Sequence, residues 1–395
     1  MLTAGTRILK GSRHALWSMG FRPFFLLAAL WSVLALALWI VMLATAETLP
    51  TRFDPVDWHI HAMLFGFVFA AMAGFLLTAI PSWTGRPPIR GTALFALVLL
   101  WLFGRLACVF SAWCAPYTAP LIDVAFPVVL ATIAVREILA AHNWRNIAIP
   151  APLAMLAIAD ILMHLESIGI GIPPGLGWRL ALAAIVAMIS VIGGRIIPAF
   201  TRNWLELRGA TVLPAPAGIV DRASLGCLHA GLFAWALLPA FLPVGAILLA
   251  ASALNVWRLA RWRGLAVRSE PLLAILHVGY GWVALGAGLL GASAIWAAVP
   301  QAAAIHALTA GAIGTMVLAI MTRVALGHTG RALEADRVTA GIYVIVVLSA
   351  LFRIAAAFAI APSSMFLDVS AALWTLAFVL FGCCYGPMLL SPRLA

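Results

Sequence analysis

His59 and His61 stand in Trp58-His59-Ile60-His61-Ala62, at the mouth of a long apolar run. Imidazole is the commonest metal ligand in proteins, and ionisable groups inside apolar spans are costly enough to suggest a function. A second histidine, His306, begins another apolar run. The two runs align without a gap. His61 falls on His306, Gly66 on Gly311, and Thr84-Gly85-Arg86 on Thr329-Gly330-Arg331. Small-residue matches are common in such sequence, but a histidine at one end and Thr-Gly-Arg at the other, in one register, are not. Two histidines at equal depth on related helices are what the axial ligation of a haem requires. The alternative is that each is an interfacial residue bonded to a carbonyl.

Other residues are placed for chemistry as well. His59 is about 200° around a helix from His61, so the two share no metal unless His59 precedes the helix, with Asp57 as its N-cap. It is a candidate for a second ion, or an interface anchor beside Trp58. His277, His328, Arg195 and Arg323 form a set at the opposite ends of the runs. They suit a second metal or haem propionates, or are ordinary basic anchors. His164, His229, His14 and His142 have weaker claims. Arg105 and Arg353 lie within apolar runs, with Asp123 and Asp160 as matching acids, and such charges face a bundle and find partners. The five cysteines show no C-x-x-C spacing, and cysteines within apolar spans are most often small apolar residues.

The elements that must carry these residues are membrane helices. The chain has 395 residues, 65% hydrophobic and 9% charged, with a mean hydropathy of +1.09. A soluble domain of that composition would have too little polar surface. About twelve runs are long enough to span a bilayer. They cover 24–45, 59–80, 91–112, 117–140, 150–169, 177–199, 225–243, 245–261, 272–294, 301–325, 339–361 and 366–389. The expected fold is an all-α polytopic membrane protein, a single integral membrane domain over 1–395. Ile197-Pro198 and Thr201 echo Ile80-Pro81 and Thr84, with Trp178 in place of the histidine. Helices 2, 6 and 10 therefore look related, which suggests three four-helix units as in the haem–copper oxidases. The N-terminal segment lacks a cleavable signal pattern.

The net charge of +11 sits mostly in every second joint. Arg7, Lys10, Arg13, Arg86, Arg90, Arg136, Arg202 and Arg261 share one side, and Arg52 and Arg179 are almost alone on the other. This is the positive-inside asymmetry of a membrane protein rather than a nucleic-acid surface. It places both termini in the cytoplasm and the basic joints against anionic lipid headgroups. Walker, H-E-x-x-H and G-x-S-x-G motifs are absent.

Several motifs resemble those of the NnrS family. They include Met19-Gly-Phe-Arg22-Pro, Trp58-His59-Ile-His61, Ile80-Pro-Ser-Trp83-Thr-Gly-Arg86, Gly193-Gly-Arg195-Ile-Ile-Pro198, Leu276-His277-Val-Gly-Tyr280 and Gly327-His328-Thr-Gly-Arg331. The resemblance covers nearly the whole chain. It implies a bacterial inner-membrane protein containing haem b and copper, linked to nitric oxide, denitrification and nitrosative stress. It also implies a quinone or other electron donor. Glu is expected after the second histidine of the first motif, and Ala62 stands there. The runner-up is a secondary transporter, which also combines about twelve helices with internal repeats. Its repeats are more often inverted, whereas these run parallel.

Overall fold

The computed structural model describes residues 15–147, 149–359 and 363–394. Arg7, Lys10, Arg13 and His14 lie outside the described residues. Twelve long helices follow one another, and no strand occurs among the described residues. They are α1 (Phe21–Thr45), α2 (Pro55–Thr84), α3 (Thr92–Val109), α4 (Thr118–Ala140), α5 (Pro150–Ser167) and α6 (Leu176–Glu206). α7 (Ile219–Leu237), α8 (Leu242–Ala260), α9 (Pro271–Ile295), α10 (Gln301–His328), α11 (Arg337–Ala357) and α12 (Ser363–Leu390) complete the set.

Eleven of these are long and apolar enough to cross a bilayer, so the chain is an all-α multi-pass membrane protein. α7 falls short of that hydropathy because Asp221, Arg222 and His229 interrupt it. It begins before the expected 225. A short break at Leu238–Phe241 separates it from α8.

The chain groups into two compact units. Unit 1 comprises Met1–Ala181, Ile320–Ala332 and Phe378–Ala395; unit 2 comprises Leu182–Ala319 and Leu333–Ala377. In unit 1, α3 packs on α4, α4 on α5, and α2 on α1 and α4. In unit 2, α8 packs on α7 and α9, and α10 on α9 and α11.

Local chemistry sets the helix ends. Pro55, Pro150 and Pro271 start their helices, where a missing N–H costs nothing. Asp336 caps α11 by accepting the Thr339 N–H at 2.7 Å. The N-cap position of α2 is Asp54, not Asp57, because Pro55 opens the helix. His59 therefore lies inside the helix and cannot share a metal with His61.

α2 and α10 are matched well beyond their sequence. His61 is the last residue of an α-helical turn, and a π-helical segment follows at Ala62–Val68. His306 ends the α-helical start of α10, and a π segment follows at Ala307–Gly314. Such π segments are rare and cluster at functional sites. In each, a glycine admits a tryptophan. A Cβ on Gly66 would lie 2.1 Å from Trp31 Nε1, and one on Gly311 would lie 2.7 Å from Trp282 Cδ2. The widened turn frees carbonyls, and in α2 these accept indole N–H groups. Trp31 donates to the Ala62 oxygen at 2.9 Å and Trp101 to the Gly66 oxygen at 3.2 Å. At the far ends, the Thr84 hydroxyl donates to Ile80 O at 2.8 Å and that of Thr329 to Ala325 O at 2.6 Å. Gly85 and Gly330 both turn the chain at positive φ, 69° and 77°. The proposed third copy, α6, is continuous α-helix with no π segment.

Candidate metal centre

Four helices of unit 1 bring side chains to one buried point. α2 supplies His61 at its α-to-π junction. α3 supplies Arg105 and Cys108, one turn after Trp101 and Gly104 on the same stripe. α4 supplies Asp123, and α5 supplies Asp160 and His164, spaced i, i+4 on one face. The helices alternate in direction. Residues near the starts of α2 and α4 therefore meet residues near the ends of α3 and α5.

Asp123 is the hub. Its Oδ2 lies 3.1 Å from His61 Nε2, 3.1 Å from His164 Nε2 and 3.2 Å from Cys108 Sγ. Its Oδ1 accepts from the Arg105 guanidinium. Gly104 makes the approach possible, since a Cβ there would stand 2.4 Å from Asp123 Oδ1. Asp160 Oδ1 adds a contact to His61 Nε2 at 2.9 Å. Asp123, Asp160, His61, His164, Arg105 and Cys108 are all buried, none more than 3% exposed. Phe53 covers the histidines, 4.8 Å from the His61 ring and 5.2 Å from that of His164, and Phe65 lies 5.0 Å from His61. Phe53 is held by its neighbours: Arg52 donates to the Ser111 and Cys114 carbonyls at 3.1 and 2.8 Å.

The donor set fits a metal ion. His61, Cys108, Asp123 and His164 each offer one ligand atom, all within 4.8 Å of one another. Two imidazoles, a thiolate and a carboxylate suit a borderline-soft transition metal such as copper or zinc. Asp160 Oδ2 is a buried carboxylate oxygen with no hydrogen bond, as if one more positive partner were wanted. The charges agree. With Cys108 as thiolate and both imidazoles neutral, three anions face the single cation Arg105, and a divalent ion balances them.

The other sequence candidates lie elsewhere. His59 is half-buried, with its ring stacked 4.8 Å from that of Trp39. His306 is half-buried in unit 2, and its Nδ1 donates to the Ala302 carbonyl at 2.7 Å. In the neutral ring that bond fixes the lone pair on Nε2, a common arrangement for a ligating histidine. His277 is buried in unit 2 with Nε2 2.9 Å from the Thr201 hydroxyl, and Trp262 stands at its edge. His328 ends α10 in unit 1, its ring 5.7 Å from Phe21. Arg195 lies in α6 and Arg323 in α10. Among the described residues, the His61 group is the one set of three or more such donors close enough to share an ion.

Cys108, Asp123, Asp160 and His164 thus join His61, and three of them were visible as ionisable residues inside apolar runs. Cys108 carried no signal of its own. None of the five cysteines forms a disulfide.

A comparison with curated proteins finds no match to the chain. The pattern of the NnrS protein family matches residues 15–393. With His61 at the buried centre and with nearly every residue matched, the chain belongs to the NnrS family.

Proposed function

We propose that this chain is a nitric-oxide-handling metalloprotein of the bacterial inner membrane, with cytoplasmic termini, acting in denitrification or in protection from nitrosative stress. One observation carries the reading: four metal donors converge at a buried point between membrane-spanning helices of an NnrS-family chain. Family membership points to nitric oxide, and the donor set points to copper.

A bound copper ion would supply one-electron redox chemistry and a position for nitric oxide. The chain supplies the rest. His61 and His164 would hold the ion through Nε2, and Cys108 would bind it as thiolate. Asp123 would be a further ligand, and Arg105 holds that carboxylate in place. Asp160, whose Oδ1 lies 2.9 Å from His61 Nε2, would add a second carboxylate beside the ion. Phe53 and Phe65 cover the histidines and exclude water.

Haem b belongs, in this reading, with His306, whose Nδ1 bond presents Nε2. The pairing of His61 with His306 on one haem gives way in this reading to an ion at His61, which its carboxylate-rich surroundings favour. Arg195 and Arg323 remain candidates for propionates, and His59, His277 and His328 for further metal. A quinone or another donor would supply electrons.

The test is an optical and paramagnetic spectrum of detergent-purified protein, oxidised, reduced and then exposed to nitric oxide. The expected result is a copper signal and a haem band, at least one of which changes with nitric oxide. A metal-free, colourless protein that takes up a solute in vesicles would replace this reading with the transporter.

A further inference from the structure

Helices α10–α12 repeat α2–α4 in more than the histidine. His61 and His306 each precede a π segment. Arg105 stands four residues before the end of α3 at Val109, and Arg353 four before the end of α11 at Ala357. Asp123 stands five residues after the start of α4 at Thr118, and Asp368 five after the start of α12 at Ser363. The buried stripes match too. Leu94, Val98 and Trp101 lead to Arg105; Ile342, Val346 and Ser349 lead, at the same spacing, to Arg353. Unit 2 therefore carries a second His–Arg–Asp set at the same depth in its helices.

The copies then part. Asp123 is fully buried and pairs with Arg105, whereas Asp368 is exposed. Arg353 is half-buried on the inward stripe and makes no hydrogen bond or ion pair among the described residues. A cation on the buried face of a membrane span is costly without a counter-charge. Unit 1 provides that charge, and unit 2 does not among the described residues. α11 packs against both the His306 turn and the π segment after it, so Arg353 rides on the helix that faces that histidine.

We infer that unit 2 binds an anion at Arg353, a carboxylate or small oxyanion, on the His306 side of α11. Two sources share this chemistry: a propionate of a haem held at His306, and a free oxyanion such as nitrite. A guanidinium suits both through paired N–H donors. The site is separate from the unit 1 centre, so a protein without copper would leave it standing.

The experiment uses the full-length protein, wild type, Arg353→Ala and Arg353→Lys, each checked for a monodisperse elution profile. Haem is measured per protein, and nitrite is titrated against tryptophan fluorescence of haem-depleted protein. A propionate source lowers the haem content of Arg353→Ala several-fold, with partial recovery in Arg353→Lys. A free-oxyanion source leaves haem unchanged, while nitrite binding weakens about tenfold or more in Arg353→Ala. A measurement on wild type alone guards against misfolded variants: haem-depleted protein is offered haem and its dimethyl ester, which lacks the carboxylates. Preference for the free acid supports the propionate arm. The inference is overturned if wild type shows neither that preference nor saturable nitrite quenching. It is also overturned if Arg353→Ala matches wild type in both assays and loses only bound phospholipid, which would mean that Arg353 reaches a lipid headgroup.

Discussion

The start of α2 and the start of α10 are two versions of one device. Each places a histidine on the last α-helical residue before a π segment, wedges a tryptophan against a glycine, and ends in a threonine and a left-handed glycine. Their surroundings differ. Around His61 stand two carboxylates, a thiol and a second imidazole. On the helices after His306 stand an arginine with no counter-charge among the described residues and an exposed aspartate. The shared backbone presents an imidazole inside the membrane. The neighbouring helices decide whether a cation or an anion joins it.

The largest contrast should lie between Asp123 and Asp368. Asp123→Ala strands Arg105 as an unpaired buried charge, a change that typically costs about 3–5 kcal/mol. Asp368→Ala removes an exposed group and should stay within about 0.5 kcal/mol. Thermal unfolding in detergent would compare them, and equal effects would break the distinction between the two units.

The shared part of the device can be tested by symmetry. Gly66→Ala and Gly311→Ala each drive a methyl group into an indole, and overpacking of this kind costs about 1–3 kcal/mol. Both variants should lose stability, with Gly66→Ala losing more because its contact is closer. A tolerated Gly66→Ala would mean that Trp31 is not fixed by the π segment. Gly104→Ala should behave differently, lowering metal content along with stability, because its methyl group displaces Asp123.

Part of this was legible in the sequence. The alignment of His61 with His306 and of Thr84-Gly85-Arg86 with Thr329-Gly330-Arg331 reports real local geometry, since those residues set the π junction, the hydroxyl bond and the left-handed turn. The apolar runs locate most helices to within about four residues, but α6 runs on to Glu206 past the expected 199, and α7 sits at Ile219–Leu237 rather than 225–243. The centre itself was not legible, because its ligands come from α2, α3, α4 and α5 and no local spacing connects them. Arg105, Asp123, Asp160 and His164 each stood out as polar residues in apolar runs, but their pairing depends on the rotation of four helices. Cys108 resembled any small apolar residue. The π segments leave no compositional trace beyond a glycine.

A smaller effect than the glycine changes is expected outside both histidine sites. Hydrogen bonds from the Thr339 backbone hold the Asp336 carboxyl below its usual range at the start of α11. A depressed carboxyl stabilises the fold above its unfolded value, and that contribution fades as pH falls through the folded value. Asp336→Ala should cost about 1 kcal/mol near neutral pH and progressively less in acid. An unchanged difference across that range would show that the cap works without its charge.

The most direct measurement is the metal content of purified, metal-supplemented protein. It would cover wild type, Cys108→Ser, His164→Ala and His306→Ala. The expected result is one copper per chain in wild type and in His306→Ala, and little in Cys108→Ser and His164→Ala. Copper retained in both Cys108→Ser and His164→Ala, or lost only in His306→Ala, would contradict the assignment of the metal centre to unit 1.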